Sequence, residues 1–173
     1  MPKSVSQQQI IKEALSSFPV FATHLWHFLR LPNPTPVQYQ LADYLQNGPS
    51  RRIIMAYRGC GKSFLTAGYV LWRLRKNPDT KVETPQSCET QLIRDKLRES
   101  IKEFDSVIKP GGEIVFLGTP HTQDSIYAKL ELAGYSPRIW PALYPTAKKL
   151  KDYYGERLAP KLETDLTNDK TLA

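Results

Sequence analysis

The sequence predicts an α/β fold, a small parallel sheet of about three strands flanked by helices. Three observations carry that expectation. The apolar run Ile53-Ile54-Met55-Ala56 enters a glycine-bearing turn and leaves it as a helix through Gly61-Lys62-Ser63. A second run, Glu113-Ile114-Val115-Phe116-Leu117-Gly118, stops at Thr119-Pro120, and Arg138-Ile139-Trp140 is a third, shorter one. Short apolar runs separated by stretches of helical periodicity are the pattern that buried parallel strands leave in a sequence.

The 173 residues, 40% of them hydrophobic, suffice for one domain with a core of its own. The formal charge of +7 favours a polyanionic partner, nucleic acid before an anionic membrane, although the excess is spread along the chain rather than gathered in an arm. There is no run of about 18 apolar residues and no signal-peptide core at the N-terminus, so a soluble, intracellular protein without membrane attachment is expected. Cys60 and Cys88 stand apart from any C-x-x-C pair and read as reduced thiols.

Residues 1–34 form a helical preface, with helices expected over 8–16 and, after Pro19, over 20–29. His24 and His27 are three apart within it, but no third ligand accompanies them, and histidines beside Leu25, Trp26 and Phe28 are the simpler reading. Thr35 is placed to cap the next helix, with Pro36 at its first position and its end at Asn47-Gly48. Thr35-Pro36-Val37-Gln38 resembles the adenine-reading element of helicase-like ATPases, in which a glutamine amide bonds the base edge. On that reading Gln38 recognises adenine; the alternative is an exposed amide at a helix N-terminus.

Ala56-Tyr57-Arg58-Gly59-Cys60-Gly61-Lys62-Ser63 is close to the phosphate-loop pattern G-x-x-x-x-G-K-[ST], with Ala56 in place of the first glycine. Such a loop turns several backbone N–H groups, and the positive end of a helix dipole, toward the phosphates of a nucleotide. Gly59 and Gly61 let the backbone come close, Lys62 would reach the β- and γ-phosphates, and the Ser63 hydroxyl would hold magnesium. Arg58 would either stabilise γ-phosphate charge as an arginine finger does or remain a solvated loop residue. The fold that accompanies this loop is the three-layer P-loop NTPase type, here reduced to about three strands.

The helix from Gly61 is expected to reach Lys76, with Leu65, Leu71 and Leu74 near one face and Asn77-Pro78 closing it. An ATPase with this loop needs another strand ending in carboxylates to orient magnesium and the attacking water. Between Lys76 and Ser87 no apolar run precedes an acid. An amphipathic helix is expected over 89–105, and Thr119, at the carboxyl end of the second strand, is a candidate γ-phosphate sensor. Asp124 would cap a helix that Gly134 stops. Residues 147–158 read as helical, with Lys148, Lys149, Lys151, Tyr153 and Tyr154 offering either a nucleic-acid contact or a solvated face. The polar tail 161–173 is expected to fray.

Together, Thr35-Pro36-Val37-Gln38, the loop 56–63, Leu117-Gly118-Thr119-Pro120, Ile139-Trp140-Pro141-Ala142-Leu143-Tyr144-Pro145 and Tyr153-Tyr154-Gly155-Glu156-Arg157-Leu158-Ala159-Pro160 resemble the large terminase subunit of short-tailed bacteriophages. An alanine for the first loop glycine, with an arginine two positions on, is a variant found in that family. The resemblance favours a catalytic role for Arg58. It implies a motor ATPase, using ATP and magnesium, that drives double-stranded DNA into a capsid. Its partners would be the portal and a small terminase subunit, and a homo-oligomer is an option. Its place would be the host cytoplasm, with transient docking at the procapsid portal.

By family topology the loop strand lies between the other two. The family also carries an acidic strand ending in Asp-Asp-Val-Glu and a nuclease domain. Here Lys81 meets Val82-Glu83 directly, which implies a deletion near 81–82 within an ATPase region spanning 35–160, and no nuclease domain. Glu83 would match the water-activating carboxylate. The alternative is a remnant that binds nucleotide or DNA without hydrolysis. A helicase-like repair ATPase fits less well, because the stretch 139–145 points to terminase.

Overall fold

The structure, a computed structural model, describes residues 7–79, 108, 110–118 and 126–160. Helices α1 (Gln7–Ser16), α2 (Phe18–Phe28) and α3 (Pro36–Asn47) precede strand β1 (Arg51–Ala56) and helix α4 (Lys62–Lys76). Strand β2 (Ile114–Gly118), helix α5 (Ile126–Leu132) and strand β3 (Ser136–Trp140) follow. The sheet order is β2-β1-β3 and both pairings are parallel, with Ile53 opposite Phe116 on one side and Pro137 on the other. The loop strand is thus central, as expected.

Strand alternation sorts the core into two layers. Ile54 and Ala56 point with Val115, Leu117 and Trp140 toward α2, α3 and α4, where Phe18, Leu41, Leu45, Leu65, Tyr69 and Trp72 meet them. Ile53 and Met55 point the other way, with Phe116 and Ile139, onto Leu130 and Tyr135 of the α5 segment. A strand buried on both faces must be apolar at consecutive positions, which is why 53–56 reads as an unbroken run.

The helix ends follow local chemistry. Thr35 caps α3 in a full capping box with Gln38. After α5, Gly134 at φ +88° accompanies bonds from the Gly134 N–H to the Glu131 carbonyl and from the Tyr135 N–H to the Leu130 carbonyl. This is the Schellman arrangement, which needs a residue at ease in the left-handed region.

Several sequence expectations need correction. Helix α2 begins at Phe18, ahead of Pro19, because proline fits the first turn where no N–H is required. The buried stripe of α4 is Leu65, Gly68, Tyr69 and Trp72, while Leu71 is 55% exposed. The aromatic side chains win this face because Phe18 of α2 lies against both of them, with ring centroids 5.2 Å from Tyr69 and 5.8 Å from Trp72. Strand β1 begins at Arg51, two residues ahead of the apolar run at Ile53, and β3 begins at Ser136, two residues ahead of Arg138. The stretch 147–158 is not one regular helix. A single α-turn gives way to a π-turn at Leu150–Tyr154 and a 3-10 turn at Gly155–Arg157, and Leu158 then bridges to Ile139 beside β3. The expected helix 89–105, the cap Asp124 and the tail 161–173 lie outside the described residues.

Candidate functional site

The central strand delivers the chain to the loop at Tyr57, whose N–H donates to the Trp140 carbonyl at 3.1 Å. The loop's start is thereby tied to the end of β3. Two left-handed glycines, Gly59 at φ +86° and Gly61 at φ +82°, then reverse the backbone into α4. Gly61 is the N-cap residue of that helix and no side chain caps it, so the N–H groups of the first turn lack acceptors inside the helix. A Cβ built on Gly59 would meet nothing within 4 Å, so the loop faces open space there.

The Lys62 ammonium folds back to the Tyr57 carbonyl at 3.3 Å, spanning the loop from its far end to its start. Ser63 and Arg58 are exposed, while Cys60 is buried under the loop. Burial pushes the Cys60 thiol up, partly offset by the backbone and charge of Lys62. A helix start without a side-chain cap, beside a lysine and an exposed hydroxyl, has the chemistry to take the phosphates of a nucleotide, with Ser63 as the residue that would hold magnesium.

Gln38 reaches this loop from α3. Its Oε1 accepts from the Thr35 N–H at 2.8 Å and its Nε2 donates to the Cys60 carbonyl at 3.2 Å. The structure therefore brings together Gln38, Ala56, Tyr57, Arg58, Gly59, Cys60, Gly61, Lys62 and Ser63 of the expected set. Glu83, Thr119 and Cys88 lie outside the described residues. His27 Nε2 sits 3.0 Å from Asn33 Oδ1, and among the described residues no group of three His, Cys, Asp or Glu is placed to hold a metal. Among those same residues, no helix is long and apolar enough to cross a membrane.

Two supports escaped the sequence reading. Trp140 donates its indole N–H to Gln40 Oε1 at 3.0 Å, while Gln40 Nε2 donates to the Pro160 carbonyl at 3.1 Å. Gln40 thus joins the end of β3 to the segment that follows Leu158. At the opposite end of β1, Arg52 is buried and donates to the carbonyls of Gly48 and Pro49, to the Tyr69 hydroxyl and to Glu113. Arg73 bonds the other Glu113 oxygen at 3.2 Å. The Trp140 link had a sequence signal in the Ile139-Trp140-Pro141 stretch, whereas Arg52 had none beyond its place before an apolar run.

The fold is α/β, a small three-stranded parallel sheet flanked by helices, with the glycine-bearing loop 56–63 at the end of its central strand. No family model matches the chain. It is similar to the large terminase subunit of Enterobacteria phage T3, with 27% identity over a match covering 92% of this chain and 41% of that protein. The comparison supports the terminase resemblance read from the motifs, for a chain that spans less than half of that relative's length. The match runs over 241 positions against the 173 residues present, so at least 68 positions of the relative have no counterpart here.

Proposed function

We propose that this chain is the ATP-binding region of a viral DNA-packaging motor of the large terminase type. The observation that carries the reading is the loop at the end of the central strand: two left-handed glycines, an uncapped helix start, and Lys62 laid across the loop onto Tyr57. The backbone from Ala56 to Ser63 would hold the phosphates of ATP. Lys62 would neutralise charge on the β- and γ-phosphates, Ser63 would hold magnesium, and Arg58 would stabilise charge as the terminal phosphate departs. Glu83 would orient and activate the attacking water, and Thr119 would report the γ-phosphate to the rest of the motor. Magnesium, when bound, supplies charge neutralisation between the β- and γ-oxygens.

Double-stranded DNA is the polyanionic partner that the charge of +7 suits. The portal and a small terminase subunit would be its protein partners, in the host cytoplasm and at the procapsid. The test is magnesium-dependent phosphate release from ATP, with and without double-stranded DNA. Release that DNA stimulates and Lys62→Ala abolishes is expected; release equal in both proteins would overturn the reading.

A second reading has its own observation. At least 68 positions of the relative are missing here, and no apolar run ending in carboxylates follows α4 in the sequence. A chain without that strand would bind ATP and not turn it over. Tight ATP binding with no phosphate release, DNA present or absent, would select this reading over the motor.

A further inference from the structure

The Gln38 carboxamide is engaged at both ends within the chain. Its oxygen completes the capping box with Thr35, whose hydroxyl in turn accepts the Gln38 N–H at 3.4 Å. Its nitrogen crosses 22 positions of sequence to the Cys60 carbonyl at 3.2 Å. That carbonyl lies between the two left-handed glycines, where the loop turns into α4. The contact is close: a Cβ on Gly61 would stand 2.9 Å from Gln38 Nε2. Gly61 is therefore required twice, by its φ of +82° and by the amide beside it.

We propose that Gln38 is a positioning residue of the phosphate loop. Anchored on the first turn of α3, it fixes the Cys60 carbonyl and so aims the N–H groups that follow at bound phosphate. This rests on the phosphate-loop reading of 56–63. It differs from adenine recognition in one consequence: the amide acts on every polyphosphate alike, because what it holds is the loop and not the base.

The experiment compares the whole chain with Gln38→Met, which has neither donor nor acceptor, and Thr35→Ala, which loses the cap hydroxyl and keeps the Gln38–Cys60 bond. Two quantities are read: affinity for magnesium complexes of ATP, GTP and inorganic tripolyphosphate, and the rate at which iodoacetamide alkylates the buried Cys60, followed by peptide mass spectrometry.

Gln38→Met should weaken all three ligands by a common factor of about five to ten, leaving the ATP-to-GTP ratio unchanged, and should speed Cys60 alkylation, while Thr35→Ala leaves that rate near wild type. Loss of ATP affinity alone, or an unchanged alkylation rate in Gln38→Met, overturns the proposal. If Gln38→Met fails to fold, Gln38→Glu, which keeps the acceptor for Thr35 and has no donor for Cys60, decides the matter by the same alkylation rate. A wild-type chain that binds none of the three ligands overturns the phosphate-loop reading itself, and this proposal with it.

Discussion

Arg52 shows how much a single side chain can carry in this fold. It is 1% exposed, and its guanidinium bonds two carbonyls of the α3–β1 turn, the Tyr69 hydroxyl and Glu113. Its two terminal nitrogens are engaged and Glu113 supplies the opposite charge, which makes the buried cation tolerable although its Nε has no partner. Glu113 is half-buried and keeps Arg73 as a second partner, so Arg52→Met should destabilise by about 2–4 kcal/mol in a urea titration.

Tyr69 donates to the same carboxylate at 2.7 Å, and burial first, then that bond, pushes its pKa up to about 12. The folded chain thus holds this proton more tightly than the unfolded chain. The stability it contributes is whole below pH 10 and is lost as pH rises through about 12. Between pH 10 and 12 the urea midpoint of the wild type should fall more steeply than that of Tyr69→Phe. None of this was legible in the sequence, because arginines at a strand's start are ordinarily solvent-exposed and Glu113 is 61 positions away.

At the level of elements, local signals were legible and packing partners were not. The capping box of α3 could be read from Thr35, Pro36 and Gln38, because N-cap chemistry is settled within four residues. Thr35→Ala should cost about 1 kcal/mol, seen as a lower thermal midpoint with the fold retained. Gly134 was legible for the same reason, since a helix stop needs no distant partner.

The face of α4 was not legible. Large apolar residues occupy positions 64, 65, 69, 70, 71, 72 and 74 of that helix, so more than one stripe satisfies the period, and the choice falls to what packs against it. Phe18 of α2 makes that choice and is itself fully buried against Tyr69 and Trp72. Phe18→Ala should therefore destabilise by about 3–5 kcal/mol in denaturant unfolding. The broken helix over 147–157 was hidden similarly, because its composition is helical while Leu158 is drawn out to bridge Ile139.

For the whole molecule, the sheet order followed from the resemblance of the motifs, not from periodicity, which places strands without ordering them. The loop strand lies centrally, apolar on both faces, and the contacts that shape the loop 56–63 gather at its carboxyl end: Tyr57 on Trp140, Gln38 on Cys60, Lys62 on Tyr57. The chain is similar to the T3 large terminase subunit over 92% of its own length and 41% of that protein.

Nucleotide binding is the central proposal, because the proposed turnover presupposes it. It is measured by equilibrium titration of magnesium-ATP into the purified chain and its Lys62→Ala variant. Saturable binding by the wild type, weakened about ten- to a hundredfold by loss of the lysine, is the predicted result. Equal affinity in the two proteins, or no binding by the wild type, would contradict the account.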